Sequence, residues 1–290
     1  MRVAALLILF TLFFTSCIKD SLSECPSLFK VNLFVKDKNY FNSSEIGEPF
    51  IDENLPFRQY INNIHYRLQN AETGKIVLNS AIIVVTGEAK EMSITIDDIP
   101  EGEYKLTVWG NIEGVGTESY ILHDNNKEKT DLYMGVVRLN VAKGVAQDKS
   151  LGMERTKGKL LLRLKNLPEF INKIEENITS VYGSINNEWL YSNVANVQKV
   201  FLRSELPLSR MSTFLAPSIA GEETGLRISL FTKESETSVF TPSIAISINR
   251  NEITAITMDY NAVQSQLEIW LYINNEWTLI EKLDISQVLN

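Results

Sequence analysis

The stretch LEIWLYINNEWTLIEK, residues 267–282, decides the fold. Leu267, Ile269, Leu271 and Ile273 alternate with Glu268, Trp270 and Tyr272; Asn274 and Asn275 make the turn, and Trp277, Leu279 and Glu281 return. Successive side chains of a strand point to opposite faces, so a period of two marks a ribbon with one face buried and one face wet. Two asparagines between such runs fit a tight hairpin.

The same period fills the chain upstream. Phe29, Val31, Leu33 and Val35 alternate with Lys30, Asn32, Phe34 and Lys36, and Ile64, Tyr66 and Leu68 with His65, Arg67 and Gln69. A turn at 71–74 (AETG) leads back through 75–79, and 81–86 (AIIVVT) is an apolar run of core-strand length. Met92, Ile94 and Ile96 precede a tight turn, IPEGEY at 99–104, in which Pro100 fixes φ and Gly102 takes positive φ. Tyr104, Leu106 and Val108 follow, then strands at 119–123 and 132–142. Seven or eight short strands in residues 28–142 make one β-sandwich.

Residues 143–156 (KGVAQDKSLGMERT) lose the alternation and carry charge and glycine, which predicts a linker. Beyond it, a strand is expected at 158–164 and a helix over 168–176, with Pro168 in its first turn and Phe170, Ile171 and Ile174 on one side. Strands follow at 178–184, 189–192, 211–216, 226–232, 238–241, 244–249 and 253–260, before the hairpin. The expected architecture is all-β: two tandem antiparallel β-sandwiches, at 28–142 and 157–290.

The N-terminus reads as an export signal. Arg2 precedes the run VAALLILFTLFF at 3–14, too short for the roughly 20 apolar residues of a membrane span. Thr15 and Ser16 are small and Cys17 follows them, the arrangement of a lipoprotein signal cut before a lipidated cysteine. Residues 1–16 are then the signal peptide and 17–27 a short polar tether. Two or three acyl chains, such as palmitate, at about 0.8 kcal/mol per buried methylene, would hold the protein to a membrane. Cys25 is the other thiol, so with Cys17 acylated no intramolecular disulfide forms.

A net charge of −8 without clusters of Lys and Arg argues against a nucleic-acid partner, and 44% hydrophobic residues suffice for packed cores. Catalytic signatures are absent: no G-x-S-x-G, P-loop or dinucleotide fingerprint occurs, and GNIEGVG at 110–116 reads as a loop. His65 and His123 are read as surface residues, too far apart in pattern for a zinc site. The pairs Asp97-Asp98 and Glu222-Glu223 read as solvated, and Asp124-Asn125-Asn126 lacks the rest of a calcium loop. The expectation is therefore no catalytic, cofactor or metal residue, and Cys17 as the one functional site. Trp109, Trp189, Trp270 and Trp277 are core or edge cover, or else a stacking platform for a glycan.

Several stretches together resemble the FimB-like fimbrial anchor lipoproteins of Bacteroidales-type (type V) pili. They are Cys17-Ile18-Lys19-Asp20 with Cys25-Pro26, the segment from Ile99 to Gly110 (IPEGEYKLTVWG), Asp131 to Gly135 (DLYMG), and Arg155 to Pro168 leading into 170–182. The resemblance implies two transthyretin-like sandwiches, anchored in the outer membrane through Cys17 and exposed at the cell surface. It implies a fimbrial shaft subunit as partner, held by β-strand addition, in which an extended strand of one subunit fills a groove in the next. A lipid at Cys17 would keep the N-terminal strand from being released, and the short chain after the hairpin leaves little to donate, so this subunit is expected to accept a strand or to cap the shaft. Asp20-Ser21-Leu22 is similar to an O-glycosylation acceptor. The alternative reading is a surface glycan-binding lipoprotein.

Overall fold

The computed structural model describes residues 28–284 apart from 116–118, 143–144, 206–209, 233–237 and 239–241. The first half forms β1 (Leu28–Val35), β2 (Asn63–Asn70), β3 (Ile76–Asn79), β4 (Ile83–Val84), β5 (Glu91–Asp97), β6 (Gly102–Gly110), β7 (Ser119–Ile121), β8 (Tyr133–Val141) and β9 (Ala146–Arg155). The second forms β10 (Gly158–Lys165), β11 (Ile171–Asn186), β12 (Tyr191–Leu202), β13 (Arg210–Leu215), β14 (Thr224–Thr232), β15 (Ser243–Ile246), β16 (Ile253–Asn261), β17 (Gln266–Ile273) and β18 (Glu276–Asp284).

The two halves repeat one plan. In the first, β3-β2-β6-β8 form one layer and β9-β1-β5 the other; in the second, β12-β11-β14-β15 face β13-β10-β16. The opening strand of each half lies between an antiparallel neighbour and a parallel one: β1 between β5 and β9, β10 between β13 and β16. These two parallel pairs are exceptions in otherwise antiparallel sheets. The second half adds the hairpin β17–β18 beyond β16, and its turn residues Asn274 and Asn275 both take positive φ, as a tight hairpin requires. Each sandwich has its own core. Phe29, Val31, Leu33 and Val35 of β1 fill the first with Leu68, Leu106 and Val108; Leu160, Leu162, Ile178, Ile228 and Ile269 fill the second.

Three expectations fail. Residues 146–155, read as linker, are β9 of the first sandwich; Leu151, Met153 and Arg155 point inward, while the exposed first half of the strand carries the polar residues that hid the alternation. Of the helix expected at 168–176, residues 171–176 are the start of β11 and 168–170 form the turn before it. A register shift between Ile171 and Lys173 brings Ile171 and Ile174 to the same side, which mimics helical spacing, and Glu176 occupies the next inward position. The run 81–86 contributes only β4, a two-residue edge on β2 with Val84 exposed. The strand expected at 119–123 exists as β7 but pairs with β11 of the second half. The one expected at 238–241 falls almost wholly outside the described residues.

Close packing explains individual glycines. A Cβ on Gly158 would collide with the carbonyl oxygen of Asn249, and one on Gly135 would stand 2.9 Å from that of Gly152. In the IPEGEY turn, Gly102 has φ of 146° and the Tyr104 hydroxyl donates to the Pro100 carbonyl at 3.0 Å.

Glu176 is wholly buried; one carboxylate oxygen accepts from Thr213 Oγ1 at 2.7 Å and the other has no partner. Burial pushes its carboxyl up to about 7 from an ordinary 4.5. The folded chain thus keeps a proton that the unfolded chain releases between those two values, and stability present in full below 4.5 is lost as pH rises through about 7. Urea midpoints should therefore fall between pH 5.5 and 8.5, and Glu176→Gln should flatten that fall. An unchanged slope in the variant would refute the assignment.

Candidate functional site: the domain junction behind the first strand

The chain passes from one sandwich to the other through Arg155, Thr156 and Lys157, all buried. β9 runs beside β1 and also meets β8 at Tyr133 and Met134, which joins both layers of the first sandwich into one folded-over sheet. Arg155 ends this strand facing inward. Its guanidinium forms an ion pair with Asp131, and Nη1 also donates to the Tyr40 hydroxyl at 3.3 Å. Nε donates to the Asp37 carbonyl at 3.1 Å and Nη2 to that of Lys38 at 3.3 Å. The guanidinium carbon stands 4.4 Å from the ring centre of Tyr40 and 5.1 Å from that of Tyr133. The Asp37 carboxylate accepts from the Arg155 backbone N–H at 2.9 Å. Burial raises the carboxyl of Asp131 and Arg155 opposes the rise; burial likewise drives the hydroxyls of Tyr40 and Tyr133 upward.

Thr156 donates from both its backbone N–H and its hydroxyl to the Leu132 carbonyl at 2.9 Å, and its own carbonyl accepts from Tyr191 at 2.7 Å. Lys157 reaches the Lys129 carbonyl at 2.9 Å, and burial lowers its ammonium to about 8.

The loop that leaves β1 clamps the second sandwich. Asn42 pairs with the backbone of Ile253 in both directions, at 2.9 Å each, at the end of β16 that β17 does not reach. Arg163 donates to the Ile46 carbonyl and to Glu48, while Tyr40 and Ile46 pack on Leu161, Ile253 and Ala255. A second apolar seam lies across the junction, where Trp109, Tyr120, Leu122 and Met134 meet Ile185 and Ala216.

The sequence-predicted site, Cys17, lies outside the described residues, as do Ser21, Cys25 and the signal. β1 begins at Leu28, and eleven residues of chain span at most about 40 Å. Both histidines, expected at the surface, are buried. His65 donates from Nε2 to Asn79 at 3.0 Å and accepts on Nδ1 from Tyr120 at 2.6 Å. His123 Nε2 accepts from the Ala216 N–H at 2.9 Å, and burial drops its pKa to about 3, so it is neutral. Residue alternation hid this for His65, because Tyr120 of β7, a strand that pairs with β11, covers the outer face of β2 at that position. Trp109 is buried in the seam and Trp189 packs half-buried against it beneath Arg250, while Trp270 and Trp277 border an outer recess, of about 360 Å³, with Arg163 and Asp259. No group of three metal-ligating side chains occurs among the described residues; Asp124 instead closes a turn with Lys127.

The resemblance motifs gain a physical reading here. Asp131 holds Arg155, Tyr133 stacks on it, and Gly135 lets β9 approach. Gly110 after Trp109 leaves room for Ile61, whose Cγ2 would stand 2.8 Å from a Cβ.

No protein-family profile matches the chain, and no curated protein matches it in sequence. Solved structures do match in fold. A candidate polysaccharide-binding protein from Bacteroides thetaiotaomicron superposes with a TM-score of 0.57 at 14% identity, over 89% of this chain and 99% of that one. The fimbrial anchor protein Mfa2 from Porphyromonas gingivalis gives 0.54 at 13%, over 89% and 100%. A fimbrial assembly protein from Parabacteroides distasonis gives 0.53 at 11%, again over 89% and 100%. The all-β fold implied by the sequence resemblance is the fold found.

Removing one partner of a buried ion pair leaves a charge without compensation and costs about 3–5 kcal/mol. Arg155→Met should destabilise by that order in urea titration, and adding Asp131→Asn should restore part of it. Strictly additive losses would show that the pair is not coupled.

Proposed function

We propose that this chain is a lipid-anchored cell-surface fimbrial subunit, with Cys17 as its lipid attachment site, that holds or caps a pilus shaft by β-strand addition. The observation that carries the reading is the place of β1. It is a central strand, hydrogen-bonded on both sides, that begins a short tether's length after Cys17. The full-length likeness of fold to a fimbrial anchor protein supports the same role.

In this role β1 fills its own groove. Its four inward residues are each 3% exposed or less, so releasing it would uncover four apolar positions in the first core. The lipid then stays joined to a complete sandwich, and the subunit's work is attachment without catalysis. The shaft contact is assigned to the far edge of the second sandwich. β18 ends its sheet, pairs only with β17 among the described strands, and sets Trp277, Leu279 and Leu283 half-buried along a face. An incoming strand can extend that sheet through backbone hydrogen bonds. The glycan-binding alternative retains Trp270 and Trp277, since Trp109 is buried.

Mass spectrometry of the mature protein should find an acylated N-terminal Cys17, and Cys17→Ser should release the protein from the membrane fraction and detach pili from cells. An unacylated N-terminus, or pili retained by the variant, would defeat the proposal. Deleting 285–290 should leave attachment intact if the subunit accepts a strand; loss of attachment with the fold preserved would mean that this segment is donated.

A further inference from the structure

A second cleft, of about 580 Å³, opens between the sandwiches on the outer face of β2, β6 and β8. Register places Gln69 opposite Lys105, and Lys105 opposite Arg138, so the three stand in a row about 5 Å apart from strand to strand. Arg67 is the next outward position along β2. The facing wall is the turn between β11 and β12, where Asn187 approaches Gln69 Oε1 at 3.5 Å and Glu188 pairs with Lys105.

The charge arrangement is unusual for this chain. Its net charge is −8, yet among the described residues Arg67, Lys105 and Arg138 line this cleft with Glu188 as the one carboxylate; Arg67 is buried and donates to Asn79, and Glu188 is paired with Lys105. Lys105 and Arg138 are directly opposite on neighbouring strands, a like-charge pair of the kind that destabilises a sheet, and Glu188 offsets Lys105 alone. Arg138 is exposed and forms no ion pair or hydrogen bond among the described residues. Amides and hydroxyls supply most of the remaining lining. The volume lies in the range of small-ligand sites.

We propose that this cleft binds an anionic saccharide, with a uronate carboxylate between Arg138 and Lys105 and sugar hydroxyls on the amides of Gln69 and Asn187. A guanidinium offers a carboxylate two parallel donors, and amides both donate to and accept from hydroxyls. The site is separate from Trp270 and Trp277, and it depends neither on strand addition nor on Cys17.

The test is calorimetric titration of the detergent-solubilised full chain with oligogalacturonate, maltoheptaose and a heparin hexasaccharide. Oligogalacturonate should bind, more weakly as salt rises, and maltoheptaose should not. Losing a hydrogen bond to a charged group should weaken binding about tenfold or more in Arg138→Gln. That variant alters an exposed side chain without partners among the described residues, and an unchanged thermal melt will establish that it folds. Lys282→Gln, on the far hairpin, should bind like the parent. No binding of the acidic oligosaccharide would overturn the proposal, as would equal binding of maltoheptaose or unchanged affinity in Arg138→Gln. An equal loss in Lys282→Gln would reduce the effect to net charge and overturn it too. Tighter binding of the heparin fragment would overturn the carboxylate assignment.

Discussion

One buried cation organises the molecule. Taking a guanidinium out of water costs several kcal/mol, and the cost is offset only when the charge is paired and its donors are satisfied. Arg155 meets those conditions by drawing in Asp131, two backbone carbonyls of the loop after β1, and the rings of Tyr40 and Tyr133. These partners come from two separate parts of the first half, the loop after β1 and the start of β8, and the residues immediately after Arg155 enter the second. The orientation of the two units is thereby tied to the closure of the first. A purely apolar junction could be as stable, but it would lack the directional bonds that fix one arrangement.

The repeated strand plan clarifies what is added. Both halves use seven strands in the same order, and the second then gains β17 and β18 beyond its last strand. In the first half the corresponding side is taken up where β9 turns to meet β8. One sandwich is thus closed on itself and the other is extended outward. That asymmetry lies on one side only, since β3 and β5 remain sheet edges in the first half and β18 is the edge that the second half adds.

Much of this was legible in the residues because a sandwich writes its core as a period of two. The inward residues of Phe29 to Val35, Tyr104 to Val108 and Leu267 to Leu271 all appear where alternation put them. The misreadings share a cause, which is contact that a linear pattern does not encode. A bulge near Lys173 shifted the period; an inward Glu176 broke its apolar signature; and His65, polar by type and outward by count, is covered by Tyr120 from across the seam. Arg155 and Asp131 were visible only as parts of motifs. Nothing in their spacing announced a mutual bond, because the chain between them is a whole hairpin.

The geometry of β1 has a mechanical consequence. A pull applied at Leu28 acts along the strand, and β1 has neighbours on both sides over nearly its full length. Such a pull strains the hydrogen bonds of both ladders in shear, many at once, whereas a strand tugged from a sheet edge can be peeled one bond at a time. Resistance to force is governed by the rate of unfolding. The first strand is therefore built to hold against tension that would unzip a strand of the same length at the border of the sheet.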